Sequence, residues 1–272
     1  MIYKIDDILQ KLEHCIEYKI PFSHIRFGDG GIKFIDAMLN ANFEQMNIII
    51  RKEGLPKTKI VELFELWGYY ARRADYIDTP EVYFNDTFWP RIKKKGKGIN
   101  EITKVKMLSW KELYYNSEFD NDSYCNPESN YLMNIRRPFG KNILDIMKGK
   151  KVALITAKPD VKRELTDYSV DIIKIVGHYE NQYLNSYHEV MEIISNEAKN
   201  YDFWLVAAGE LGRIYTGEIK ECGGRSVDIG FVVEFWMGHE LHSRLKCFLK
   251  RSSTNPLELE LTEEGMKYID HI

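Results

Sequence analysis

From residue 151 onward, short apolar runs alternate with amphipathic stretches, and this rhythm restricts the possible folds more than any other feature. Lys151–Thr156, Val170–Val176, Asp202–Ala208 and Ser226–Ile229 are runs of strand length. Helical periodicity occupies the gaps, over 160–167, 183–198 and 210–222, and resumes after Ile229. Within 183–198, the spacing puts Leu184, Tyr187, Met191 and Ile194 on one face. Strands buried on both sides read as unbroken apolar runs. Their alternation with helices implies an α/β fold, a mostly parallel sheet with helices on both faces. Sheets of this kind bind ligands beyond the carboxyl ends of their strands. Chemistry is therefore expected in the turns after Phe27, Thr156, Val176, Ala208 and Ile229.

The first half follows the same scheme less regularly. Residues 4–18 carry Ile5, Ile8, Leu9, Leu12, Cys15 and Ile16 at helical spacing, and Pro21 ends the pattern. Ser23–Phe27 reads as a strand, Gly28–Gly31 as a tight turn and Ile32–Leu39 as a helix. Residues 58–72 predict a helix with Ile60, Leu63, Phe64 and Trp67 inward. About 73–140 reads as an irregular insertion with a basic, glycine-broken loop at Lys93–Gly98. Helices are expected within it only near Met107–Tyr115 and Ser129–Arg136. The 272 residues thus read as one domain, 1–272, with an inserted segment at about 73–140.

Composition removes several classes of function. Basic and acidic residues nearly balance, 38 against 41, which argues against a surface built for nucleic acid or an anionic membrane. A local basic pocket remains compatible with that balance. Cys15, Cys125, Cys222 and Cys247 form no Cys-x-x-Cys pair, so neither a zinc cluster nor a disulfide framework is suggested. The N-terminus has no signal-peptide core, and no window approaches the ~18 apolar residues of a membrane span. A cytoplasmic protein is expected.

Three turns carry residues suited to a ligand. In Arg26-Phe27-Gly28-Asp29-Gly30-Gly31, the glycines allow close backbone approach at the start of a helix, a setting that binds anions. Arg26 can add a charge-assisted contact to a phosphate. Asp29 makes sense beside a phosphate if a divalent metal lies between them, or if it binds a ribose hydroxyl. Otherwise it is a turn and cap residue. In Ala207–Arg213, the small residues up to Gly209 and Gly212 let a diphosphate or nucleoside lie on the backbone, and Arg213 falls in the first helical turn. Glu210 there reads either as a ligand or as a helix-dipole partner. In Asp228–Gly238, Asp228 ends a strand and Glu234 follows, so that carboxylates could serve a metal or act as a base.

The histidines say less. His178 follows a strand and is a modest candidate for the same crevice; His239 and His242, three apart on an expected helix, read as surface residues. The cluster Phe84, Phe88 and Trp89 reads as core or as a sugar platform. No Gly-x-Ser-x-Gly elbow or Walker loop is present.

Taken together, Arg26–Gly30, Ala207–Gly212 and Asp228–Gly230 resemble the GT-D-type glycosyltransferases, in order and over roughly residues 20–245. The resemblance implies a Rossmann-like fold. It implies sugar transfer from a nucleotide-diphosphate donor, typically UDP-linked, with Mn²⁺ or Mg²⁺, to a hydroxyl acceptor. A glycan, a glycoprotein or a modified nucleobase would each fit as the acceptor. Asp29 matches the first acid of the family's Asp-x-Glu motif, and Gly31 stands where the Glu is expected. Phe231 stands where many relatives have His. Either Glu234 or Glu210 replaces the missing acid, or Arg and Lys side chains hold the diphosphate. The carry-over gives Asp29 to metal or donor, and Arg26, Gly28, Gly30, Gly31 and the Gly209–Arg213 turn to the donor. Asp228 or Glu234 would be the base. Two rival readings are a non-catalytic nucleotide-sugar binder, favoured by Gly31, and an S-adenosylmethionine-dependent methyltransferase.

Overall fold

The computed structural model describes residues 5–26, 43–78, 124–125, 131, 133–136, 140–177, 180–241, 245–246, 248 and 249–266. Helix α1 (Ile5–Glu17) precedes β1 (Phe22–Ile25), and the six apolar residues read from its spacing are all buried. Helices α2 (Phe43–Glu53) and α3 (Ile60–Arg73) lead to β2 (Tyr76–Asp78). Strand β3 (Tyr124–Cys125) and helix α4 (Ile143–Met147) follow. The regular half comprises β4 (Val152–Thr156), β5 (Val170–Lys174), α5 (His188–Glu197), β6 (Phe203–Ala207), α6 (Gly212–Glu221), β7 (Arg225–Asp228) and α7 (Val232–Trp236). A C-terminal antiparallel hairpin, β8 (Leu249–Arg251) with β9 (Leu259–Leu261), and α8 (Glu263–Met266) end the described chain.

Strands β1 to β7 form one seven-stranded sheet in the order β3-β2-β1-β7-β6-β4-β5, every neighbouring pair parallel. Period-two alternation divides its side chains between two cores. Phe22, Val152, Leu154, Phe203, Leu205 and Val227 pack with α1, α4, α7 and the hairpin. Ile25, Ala153, Ile155, Trp204 and Val206 pack with α2, α3, α5 and α6. Helices thus cover both faces, as the apolar runs required.

Three local readings change. The stretch 73–140, expected to be irregular, supplies β2 and β3 and so widens the sheet by two strands. These strands are too short, three and two residues, to leave a periodic signal. Residues 183–187 form a π turn, whose wider winding turns Tyr183 and Tyr187 inward and leaves Leu184 exposed. The helix expected to carry His239 stops at Trp236; His242 lies outside the described residues. The 107–115 helix, Phe84, Phe88, Trp89 and the Lys93–Gly98 loop also lie outside them.

Helices α3 and α6 approach closely at Gly217, where an added Cβ would stand 2.2 Å from Cγ of Tyr70. The Tyr70 hydroxyl donates to the Glu218 carboxylate. Burial, and then Glu218, push this phenol well above its ordinary range, so it remains a donor. Gly217→Ala should destabilise the protein by about 1–3 kcal/mol through overpacking, more than the ~1 kcal/mol that alanine gains in helix propensity. Urea unfolding measures this; an unchanged or higher midpoint would contradict the packing.

Candidate functional site

Strands β1 and β7 are neighbours in the sheet although about two hundred residues separate them; Phe22 pairs with Arg225 and His24 with Val227. The first described helices after β1 lie on one face, and α7, which follows β7, lies on the other. Adjacent strands whose connections depart to opposite faces leave a crevice at their carboxyl ends. Arg26 stands at the end of β1 and Asp228 at the end of β7.

Nη1 of Arg26 lies 3.8 Å from Oδ1 of Asp228, with the two side chains only 10% and 8% exposed. The same Oδ1 accepts the Gly230 N–H at 3.0 Å, closing a small turn. Backbone donors hold that turn against β6: the N–H groups of Ile229 and Gly230 both reach the Val206 carbonyl. Gly230 has φ +44°, and a Cβ there would come within 1.8 Å of Nη1 of Arg26. Glycine is therefore required on two grounds, backbone conformation and the space taken by the guanidinium.

The β6–α6 turn is braced by Arg213, in the first turn of α6. Its Nε donates to the Arg26 carbonyl at 2.6 Å. Its Nη1 donates to the Gly209 carbonyl at 3.2 Å and to Oε2 of Glu210 at 2.6 Å. The guanidinium also lies 5.0 Å from the Trp67 ring centroid, a cation–π distance. The Gly212 N–H returns to the Ala208 carbonyl, which also accepts from Nε2 of the buried Gln182.

The structure thus brings Arg26 to Asp228 and the Arg213 side chain to the backbone of Arg26, with Gly209 and Glu210 tied to the same guanidinium and Gly212 bonded back to Ala208. Arg213, read from sequence as a diphosphate ligand, spends these donors inside the protein and joins the two turns. Glu210, read as a ligand or dipole partner, is the counter-charge of that brace. Glu234 belongs to α7, beyond the turn itself, and is half-buried. Gly28, Asp29, Gly30, Gly31 and His178 lie outside the described residues. The sequence reading placed Trp67 inward, as found, but gave neither it nor Gln182 a part in the site. Trp67 falls on the apolar stripe of α3 and looks like core, and Gln182 carries no motif.

Among the described residues, no group of three or more His, Cys, Asp or Glu gathers as a metal site. Arg26 already supplies positive charge beside Asp228. The described residues do not build a divalent-cation site, and Asp29, the expected ligand, is not among them. No described helix is long and apolar enough to cross a membrane.

No protein-family model matches the sequence, and no curated protein matches it. Solved structures do. Two of them are of the domain of unknown function 1792, one in selenomethionine-substituted form. The other is described as having a distinct glycosyltransferase fold. Each is 19% identical, aligns with a TM-score of 0.52, and covers 96% of this chain and 92% of its own. The chain has that fold. At this identity the likeness carries the fold, and it agrees with the GT-D-type resemblance read from Arg26–Gly30, Ala207–Gly212 and Asp228–Gly230.

Replacing Arg213 by Met would remove the buried ion pair with Glu210 and the hydrogen bond to the Arg26 carbonyl. A loss of about 3–5 kcal/mol is expected on the scale of a broken buried pair. Thermal and urea unfolding of R213M measure it, and a variant as stable as the parent would show that the brace is dispensable.

Proposed function

We propose that the protein is a glycosyltransferase that moves a sugar from a nucleotide-diphosphate donor, UDP-linked, to a hydroxyl of a glycan or another glycoconjugate. The observation that supports this most is the buried Arg26–Asp228 pair at the carboxyl ends of β1 and β7, in a sheet of glycosyltransferase fold. Sugar transfer needs a cation where charge develops on the departing diphosphate, and a base for the acceptor hydroxyl. Arg26 supplies the first and Asp228 the second.

In this reading the acceptor oxygen bonds to the anomeric carbon as the bond from that carbon to the diphosphate oxygen breaks. The bonding pair stays with the diphosphate, which Arg26 faces. The acceptor proton passes to the Asp228 carboxylate. Gly230 leaves room for Arg26, and the Arg213 brace fixes the backbone that carries it. Asp29 would be the residue to hold Mn²⁺ or Mg²⁺; titrating UDP with and without Mn²⁺ into the parent and Asp29→Asn reads whether it adds a cation.

Isothermal titration should show UDP and UDP-glucose binding, and S-adenosylhomocysteine silent. Arg26→Met should weaken UDP about tenfold or more, the scale of a charge-assisted hydrogen bond. Asp228→Asn should keep UDP binding and slow transfer about 10²–10⁴-fold. Donor binding by the parent with neither transfer nor donor hydrolysis would make the same crevice that of a non-catalytic nucleotide-sugar binder. Absence of any nucleotide binding would end both readings.

A further inference from the structure

Phe231 follows directly on the Asp228–Gly230 turn. The residue is 52% exposed, whereas Val232, Val233, Phe235 and Trp236 beyond it are at most 3% exposed. Exposing that much of so large an apolar residue forgoes stabilisation that burial would supply. The position is nonetheless firmly held. The Val232 N–H donates to the Ile229 carbonyl at 3.1 Å, and the Phe235 N–H to the Phe231 carbonyl at 3.3 Å. With Ile229 and Gly230 bonded to Val206, the backbone on both sides of Phe231 is fixed. The helix cannot turn to bury the ring without bringing its four buried neighbours out.

We propose that Phe231 is the stacking platform for the nucleobase of the donor. This rests on the glycosyltransferase reading and adds to it the residue that receives the base. Two observations favour the base over the transferred sugar. Phe231 follows Gly230 in the chain, and Gly230 packs against the Arg26 guanidinium, so Phe231 belongs to the turn that would border a diphosphate held by Arg26. The reacting end of the donor must meet Asp228, which is buried, so the nucleoside end is the one that runs outward over the exposed Phe231. An aromatic ring contributes to base binding through its face and asks for no particular hydrogen-bond pattern. Phe231 therefore supplies affinity for nucleosides in general, and discrimination among bases falls to other residues.

The test is isothermal titration of Phe231→Ala and Phe231→Trp, alongside the parent, with UDP, GDP and inorganic pyrophosphate. Phe231→Ala should weaken UDP and GDP about tenfold, the scale of one aromatic–base stack, and leave pyrophosphate unchanged. Phe231→Trp should bind both nucleotides at least as well as the parent. The unliganded melting temperature of each variant is measured alongside, so that a folding defect is told apart from loss of the platform. If the parent binds UDP and Phe231→Ala binds it equally, the platform is refuted while the glycosyltransferase reading stands. Equal weakening of pyrophosphate would also refute it, since the effect would then lie in the Arg26 turn. A parent that binds no nucleotide overturns both.

Discussion

Everything distinctive about this molecule depends on the pairing of β1 with β7. A strand from the beginning of the chain lies between a short N-terminal set, β2 and β3, and a longer C-terminal set, β7, β6, β4 and β5. Without that seam the two sets would each expose a sheet edge, with unpaired backbone groups. The buried Ser226 hydroxyl sits across it, donating to the Thr216 carbonyl at 2.7 Å and lying 3.3 Å from the Phe22 carbonyl. The seam also creates the crevice, because strands that meet there send their connections to opposite faces.

Positive charge at the crevice is divided between two arginines with different tasks. Arg213 is enclosed by Glu210, two carbonyls and Trp67, and holds the backbone of both turns. Arg26 is held at its carbonyl by Arg213 and faces Asp228 with its guanidinium. Fixing the main chain of one arginine with the side chain of another presets the second, which would lower the entropy lost if the proposed diphosphate binds there. The near-neutral composition of the chain is consistent with this arrangement: the charges that matter are few, buried and paired.

The sequence exposed the fold where elements were long enough to repeat a period. The apolar runs of β4, β6 and β7 and the stripes of α1 and α3 were legible because burial on a given face demands a given spacing. Strands β2 and β3 were not, since two or three residues carry no period. The inward turn of Tyr183 was hidden because a π turn breaks the 3.6-residue count. Strand ends and glycines pointed to Arg26, Gly230 and Asp228, and the structure brings these three together. The bracing bonds of Arg213 were not legible, because an arginine near a glycine turn looks the same in sequence whether or not it also ties down a neighbouring loop. Its bonds to the Arg26 and Gly209 carbonyls are visible only in the fold.

In the proposed function, a nucleotide diphosphate binds at the seam between β1 and β7. A crystal structure of the protein with UDP-glucose tests it most directly. The diphosphate is expected within hydrogen-bonding distance of the Arg26 guanidinium, beyond the ends of β1 and β7, with the Arg213 brace intact. A nucleotide seated elsewhere on the molecule, with the Arg26–Asp228 pair undisturbed, would contradict it.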